Sequence, residues 1–268
     1  NDESFDSVVR CLLEPDISRY DRLTKLINRI INDEKHIDYV VIHELALPRH
    51  YYIQIAQKLG FVGINLIAGL EYKINENEKT ADNQMVFVLN VDNQSGGSIA
   101  LYQSKITGAI HEISEIKNKS NLSVVPKFKE KLIIRHNDFV FSGLICNDLS
   151  DINNRSYLRG EIDALFVLAW NQDLETYQHL LKSATLDIHC FVTLCNNKKY
   201  GDTRIRAPYK DEWKRDMQKI HGGKLDNFMV TELPIYELRD FQTNNISPSK
   251  SFKPFPTGFE ISLNRRIK

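Results

Sequence analysis

Cysteine is scarce in this chain of 268 residues: there are four, Cys11, Cys146, Cys190 and Cys195, with no C-x-x-C pair and no histidine at zinc-ligand spacing. A disulfide scaffold and a zinc-stapled module are thereby excluded, and the pattern predicts a reducing, cytoplasmic setting. No apolar run approaches the ~18 residues of a membrane span and no leader pattern opens the chain, so no membrane partner is expected. Net charge is missing too: Lys+Arg and Asp+Glu are both 35. The basic clusters at 127–131 and 265–268 are short, mixed or terminal, and nucleic acid is not indicated as a partner. Gly222-Gly223 is an isolated turn, far short of a phosphate-cradling loop. His43, His111 and His189 sit beside apolar segments without a second ligand at metal spacing, which favours packed or exposed histidine over a metal site. No initiating Met precedes Asn1-Asp2-Glu3-Ser4, which suggests a processed chain or, by preference, a domain cut from a longer protein.

What is present is ordinary globular material, 42% hydrophobic and 26% charged, enough for a sizeable core. Residues 5–13 read as a strand, 20–31 as a helix with apolar residues at helical spacing, and 37–42 as an apolar strand ending at His43-Glu44. Pro48 opens a second helix to about residue 59, followed by a glycine-bounded strand over 63–69. Strands over 85–91 and 98–105 flank a polar, glycine-containing hairpin turn at 92–97. Further strands are predicted over 139–146, 162–169, 190–195, 203–206 and 228–233, with a helix from 174 to about 188. This alternation predicts an α/β fold with mixed sheets and helices outside them. There is no internal repeat, and the Ser-, Asn-, Pro- and Lys-rich tail after Phe241 reads as an extended arm, giving a body over 1–241 and an arm over 242–268.

Three predicted strands end in a reactive side chain: Glu44, Lys105 and Cys146. Taken alone, Cys146 reads as a small packed hydrophobe, Glu44 as a loop carboxylate capping the next helix, and Lys105 as a snorkelling strand-end lysine. In open α/β sheets, however, carboxyl ends of strands converge on one crevice, so residues distant in sequence can meet there. Cys190 and Cys195 are five apart along a strand, face opposite ways and are expected to be structural thiols.

The segments Val41-Ile42-His43-Glu44-Leu45-Ala46-Leu47-Pro48, Tyr102-Gln103-Ser104-Lys105 and Gly143-Leu144-Ile145-Cys146-Asn147-Asp148 resemble, in order and spacing, the three signature blocks of the nitrilase, or carbon-nitrogen hydrolase, superfamily. The resemblance runs over roughly residues 5–240 and includes Tyr200-Gly201-Asp202-Thr203-Arg204-Ile205-Arg206-Ala207-Pro208. It implies a single-domain α-β-β-α sandwich with two mixed β-sheets flanked by helices. It also implies a triad in which Cys146 attacks a carbonyl or nitrile carbon, Glu44 acts as base and Lys105 stabilises the oxyanion, through a thioester intermediate. Many members add a second glutamate after the lysine; Glu112, seven residues on, is preferred on spacing over Glu115, ten on, and both stay open. By position Asn147, Trp170 and Asn171 would line the substrate pocket. The resemblance implies a small-molecule amide or nitrile substrate, no metal or organic cofactor, and a homo-oligomer, dimer or higher.

The chain departs from the family in having Asn147 where an aromatic residue usually follows the nucleophile. It also lacks the Arg-x-x-Pro-Glu continuation at 150–155 and reads Ser183-Ala184-Thr185-Leu186-Asp187 in the helix that usually carries Arg-Ala and Glu-Asn. These positions surround the pocket and the family's usual dimer surface. The expected activity is amidase-like hydrolysis of a non-peptide carbon-nitrogen bond. One rival transfers the acyl group, or released ammonia, to a second substrate. The other is a non-catalytic or regulatory nitrilase-like domain of a larger protein, the architecture of some bacterial antiviral reverse transcriptases.

Overall fold

The computed structural model describes residues 2–12, 17–91, 97–244 and 251–265. They fall into two compact units, Asn1–Glu130 with Leu225–Val230, and Lys131–Lys224 with Thr231–Lys268. The first unit runs α1 (Asp2–Val9), α2 (Ile17–Ile31), β1 (Tyr39–Leu47), α3 (Tyr52–Gly60), β2 (Asn65–Asn75), β3 (Thr80–Asn90), β4 (Ser98–Ser104), α4 (Ile110–Ser120) and β5 (Ser123–Val124). The second runs β6 (Ile133–His136), β7 (Phe139–Ile145), α5 (Ile152–Leu158), β8 (Ala164–Ala169), α6 (Leu174–Ala184), β9 (Phe191–Asn196), β10 (Thr203–Arg206), α7 (Glu212–Arg215), β11 (Asp216–Ile220) and α8 (Ile235–Asn244). This is the expected α/β class, two mixed sheets with flanking helices.

In the first unit the sheet order is β1-β2-β3-β4, with β5 beside β3. β1 and β2 are parallel and the β2-β3 and β3-β4 pairs antiparallel, so β1, β2 and β4 all point one way. Their apolar alternation is answered by the helical stripe of α2 and by α3: Ile27, Ile30, Ile55 and Leu59 pack with Val40, Leu47, Leu66, Ala68, Leu70, Val86 and Val88. In the second unit the order is β11-β10-β9-β8-β7-β6, with β7, β8 and β9 parallel and every residue of β8 buried, as a strand covered on both faces requires.

Several expectations are corrected. The predicted strand over 5–13 is the helix α1 as far as Val9, followed by a turn at Arg10 and Cys11. Phe5, Val8, Val9 and Leu12 recur at helical spacing, a period that outweighs the β-propensity of the valine pair, and Val8 and Val9 are buried. Residue 13 lies outside the described residues, as does the hairpin turn at 92–96, although β3 and β4 pair antiparallel on either side with Asn90 opposite Ser98. The predicted strand over 228–233 has no regular structure; Phe228 instead lies beneath the Arg29 guanidinium and against the first unit's core. The helix expected to reach about 188 does so, as α-helix to Ala184 and then as a π-helical turn over Thr185–His189, with His189 at φ +59°. β1 continues through Glu44 to Leu47, and α4, α5, β6, β11 and α8 are additional elements.

The described C-terminal residues have little regular structure yet are anchored to the second unit. Lys210 N–H donates to the Ser251 carbonyl, Lys253 N–H to that of Pro208 and Ser262 N–H to that of Gly160. Arg265, buried, donates to Asp163 together with Arg239.

Candidate active site

Glu44 is held where β1 breaks register. Between Ile42 and Leu47 β1 advances five residues while β2 advances two, from Ala68 to Leu70, with Leu45 at φ +55°. A bulge of this kind re-aims a side chain, and a left-handed leucine persists only where its surroundings hold it. Two features hold it here. Arg19 of α2 donates to the carbonyls of Leu45 (3.2 Å) and Ala46 (2.6 Å) while its other nitrogen meets Glu71 at 2.8 Å. Gly69 of β2 lies directly against the bulge, where a Cβ would stand 2.5 Å from Glu44 Cα and from the His43 carbonyl oxygen.

Lys105 follows the last residue of β4, and its backbone N–H donates to the Asn83 carbonyl at 2.8 Å. Because β4 runs with β1, its carboxyl end brings Nζ to 2.9 Å from Glu44 Oε1. The same Nζ is 2.5 Å from Glu112 Oε2, on the first turn of α4. Asn83 Nδ2 bridges the two carboxylates, donating to Glu44 Oε1 at 2.8 Å and Glu112 Oε1 at 3.0 Å, and Tyr72 donates to Glu112 Oε1 at 2.9 Å. Glu115 instead pairs with Lys119 at 3.1 Å.

Glu44 and Lys105 are 2% and 3% exposed, so an ammonium and two carboxylates share a nearly dry site with a formal charge of −1. Burial presses the Glu112 carboxyl upward, but the Lys105 charge and the hydrogen bonds from Lys105, Asn83 and Tyr72 outweigh it and hold the group below the usual carboxylate range. The Tyr72 phenol is driven well above its ordinary value by burial and then by the charges of Glu112 and Glu44, which keeps it a donor. Removing such charges from water costs several kcal/mol per ion before their attraction returns any of it. An apolar cluster would therefore stabilise the core at least as well.

Cys146 lies in the second unit, immediately after β7, at the first residue of a 3-10 turn, Cys146–Ser150, and with φ +46°. The turn's carbonyls are tied from α5: Asn154 Nδ2 donates to that of Asp148 at 2.6 Å and Arg155 to that of Leu149 at 2.8 Å. Cys146 is 8% exposed, and its sulfur accepts a hydrogen bond from the Tyr177 hydroxyl of α6 at 3.2 Å. Asn147 is half-buried in the same turn. Trp170 and Asn171 follow β8, the parallel neighbour of β7, so they share the strand-end edge with Cys146. Both ends of the Asn171 amide turn back to the Asp173 backbone, and Asn196 grips its N–H and carbonyl. Glu44, Lys105 and Glu112 thus gather in one unit; Cys146, Asn147, Trp170 and Asn171 belong to the other.

Tyr72, Asn83, Arg19 and Tyr177 were not singled out by sequence reasoning. One signal was available for Asn83: Asp82-Asn83-Gln84 interrupts a strand that is otherwise buried and apolar. Burial pushes the Cys195 thiol up to about 12 and Cys190 further, and Cys11 up to about 11, so these three remain thiols at neutral pH. Among the described residues no group of three or more His, Cys, Asp or Glu side chains is placed to hold a metal ion, and no helix is long and apolar enough to cross a membrane.

No protein-family model matches the chain, and no curated protein does. Solved structures do share its fold. A CN-hydrolase superfamily protein from Xanthomonas campestris, XC1258, which carries an arsenic adduct in its active site, aligns over 87% of this chain and 89% of its own at a TM-score of 0.61 and 13% identity. Nit3 of Saccharomyces cerevisiae, a member of branch 10 of the nitrilase superfamily, aligns over 78% and 82% at 0.55 and 15%. The NitN amidase of Nesterenkonia aligns over 71% and 80% at 0.53 and 13%. Acrylamide adds to that amidase's active-site cysteine in one of its variants. At these identities the likeness establishes a nitrilase-like fold for the chain described here.

Proposed function

We propose that this chain is a cysteine-dependent hydrolase of a non-peptide carbon-nitrogen bond, amidase-like, in which Cys146 is the nucleophile and Glu44 and Lys105 are its base and oxyanion partner. The observation that carries the reading is the Lys105 ammonium buried between Glu44 and Glu112. A strained nucleophile turn and a strained base-bearing bulge, at Cys146 and Leu45, support it, since backbone strain concentrates at functional sites.

In the reaction the Cys146 sulfur bonds to the amide carbon while Glu44 takes the thiol proton. The carbonyl oxygen becomes an oxyanion, stabilised by the Lys105 ammonium and by a backbone N–H following Cys146. The carbon-nitrogen bond then breaks as Glu44 returns the proton to the departing amine, leaving a thioester. Water attacks the thioester with Glu44 again accepting a proton, the acid forms, and the thiol is restored. Glu112 does not exchange protons; held ionised, it fixes the Lys105 ammonium and, through Asn83, the Glu44 carboxylate.

The test is to incubate the protein with a panel of small amides and nitriles, following ammonia release and the intact mass. At least one compound should release ammonia and place an acyl mass on the peptide containing Cys146, and Cys146→Ala should abolish both. Absence of any adduct across the panel, with Cys146 no more reactive towards iodoacetamide than Cys190 or Cys195, would leave the non-catalytic domain as the better reading.

A further inference from the structure

The hydrogen bond from Tyr177 to the Cys146 sulfur has a chemical consequence that packing does not account for. Both groups are buried and both are backbone-fixed. Cys146 is held by its 3-10 turn, and Tyr177 by the first turn of α6, where the Asp173 side chain accepts the Thr176 N–H at 3.2 Å. A neutral thiol is a weak acceptor, and a phenylalanine at 177 would fill the same space without a hydroxyl to satisfy. A thiolate is a different acceptor. Hydrogen bonds to an ionised partner are roughly twice as strong as neutral ones, so the hydroxyl matters most when the sulfur carries charge.

We propose that Tyr177 is a catalytic residue of this site, a donor that stabilises the negative charge developing on the Cys146 sulfur as Glu44 takes its proton, and that fixes the sulfur's line of approach. This rests on reading Cys146 as the nucleophile. Tyr177 keeps its proton throughout. As the sulfur-carbon bond forms, negative charge passes from sulfur to the carbonyl oxygen and the hydrogen bond from Tyr177 weakens. When the sulfur-carbon bond of the thioester breaks, the charge returns to sulfur and the same bond strengthens, so Tyr177 assists the departure of the thiolate. Stabilising a thiolate also makes it a milder nucleophile, which partly offsets the gain in its population. The diagnostic is therefore the pH profile of sulfur reactivity rather than a rate at one pH.

The experiment follows carbamidomethylation of the Cys146 peptide by iodoacetamide across pH, by mass spectrometry, in the full chain. Tyr177→Phe should move the midpoint up by about one unit, the scale of one lost charge-assisted hydrogen bond. Replacing Tyr177 with 3-fluorotyrosine, a stronger donor of nearly the same size, should move it down. That second protein carries the test if the phenylalanine variant fails to fold. Unmoved midpoints overturn the role of Tyr177. A shift in both, in a protein that no amide acylates, upholds the Tyr177–thiolate pairing and defeats the hydrolase reading alone. Amide turnover with unmoved midpoints does the reverse.

Discussion

Gly69→Ala isolates the step from fold to site. The added methyl carbon would stand 2.5 Å from Glu44 Cα, 2.5 Å from the His43 carbonyl oxygen and 2.7 Å from the Leu45 nitrogen, against an ordinary contact of at least 3.4 Å. Relief requires 3.4 − 2.5 = 0.9 Å of movement, and all three obstructing atoms are backbone, so no side chain can rotate away. The bulge is also tied down by Arg19 through the Leu45 and Ala46 carbonyls, which concentrates the movement on the segment that carries Glu44. Overpacking of this kind costs about 1–3 kcal/mol, which for a chain of this length lowers the melting temperature by about 2–12 °C. Displacing a catalytic group by about 1 Å costs on the order of 100-fold in rate. Calorimetry reads the first and the acylation rate of Cys146 the second. A Gly69→Ala protein that melts and acylates like the wild type would refute the claim that close approach at Gly69 sets the position of Glu44.

Two further predictions concern the second unit. Burial pushes His189 down to about 4 from 6.5, against the bond to the Lys253 carbonyl and with help from the Arg265 charge. The unfolded chain therefore takes up this proton first, and stability present above about pH 6.5 is lost as pH falls towards 4. The difference, 6.5 − 4 = 2.5 units, corresponds to about 3 kcal/mol. Urea midpoints at pH 7.5 and pH 4.5 should converge more in His189→Asn, which tolerates the φ of +59°, than in the wild type; equal pH dependence contradicts the assignment. Asp163, fully buried, accepts from Arg239 at 2.7 Å, Arg265 at 2.8 Å and the Val140 N–H at 2.8 Å. Asp163→Ala leaves two guanidinium groups uncompensated and should cost about 3–5 kcal/mol in a denaturation experiment; a loss below about 1 kcal/mol would show that the cluster is not a structural anchor.

The legible parts of this chain were those in which one local period governs the outcome. α2 and the buried strands β2, β7, β8 and β9 follow directly from apolar spacing, and Lys105 does follow the end of β4, whereas Glu44, expected at a strand end, lies inside β1 at its bulge. The period was misassigned at residues 5–13, where adjacent valines belong to a helix. A strand over 228–233 failed for a different reason: its apolar residues are used singly, Phe228 under Arg29, without the ladder partner a strand needs. Spacing preferred Glu112 but left Glu115 open, because both lie on a helix that the sequence does not announce; the contact with Lys105 separates them. Tyr72, Asn83 and Tyr177 are ordinary residues in strand or helix context, and their roles depend on neighbours brought close by sheet register and helix docking.

Glu44 is proposed as the base for Cys146, and that assignment carries the hydrolase reading. It is tested most directly by comparing the rate at which an amide substrate acylates Cys146 in the wild type and in Glu44→Gln, an isosteric change that keeps a hydrogen-bond partner for Lys105 and Asn83. Loss of a general base predicts a fall of about 100- to 10,000-fold with the fold intact by circular dichroism. Acylation of Cys146 at the wild-type rate in Glu44→Gln would contradict it.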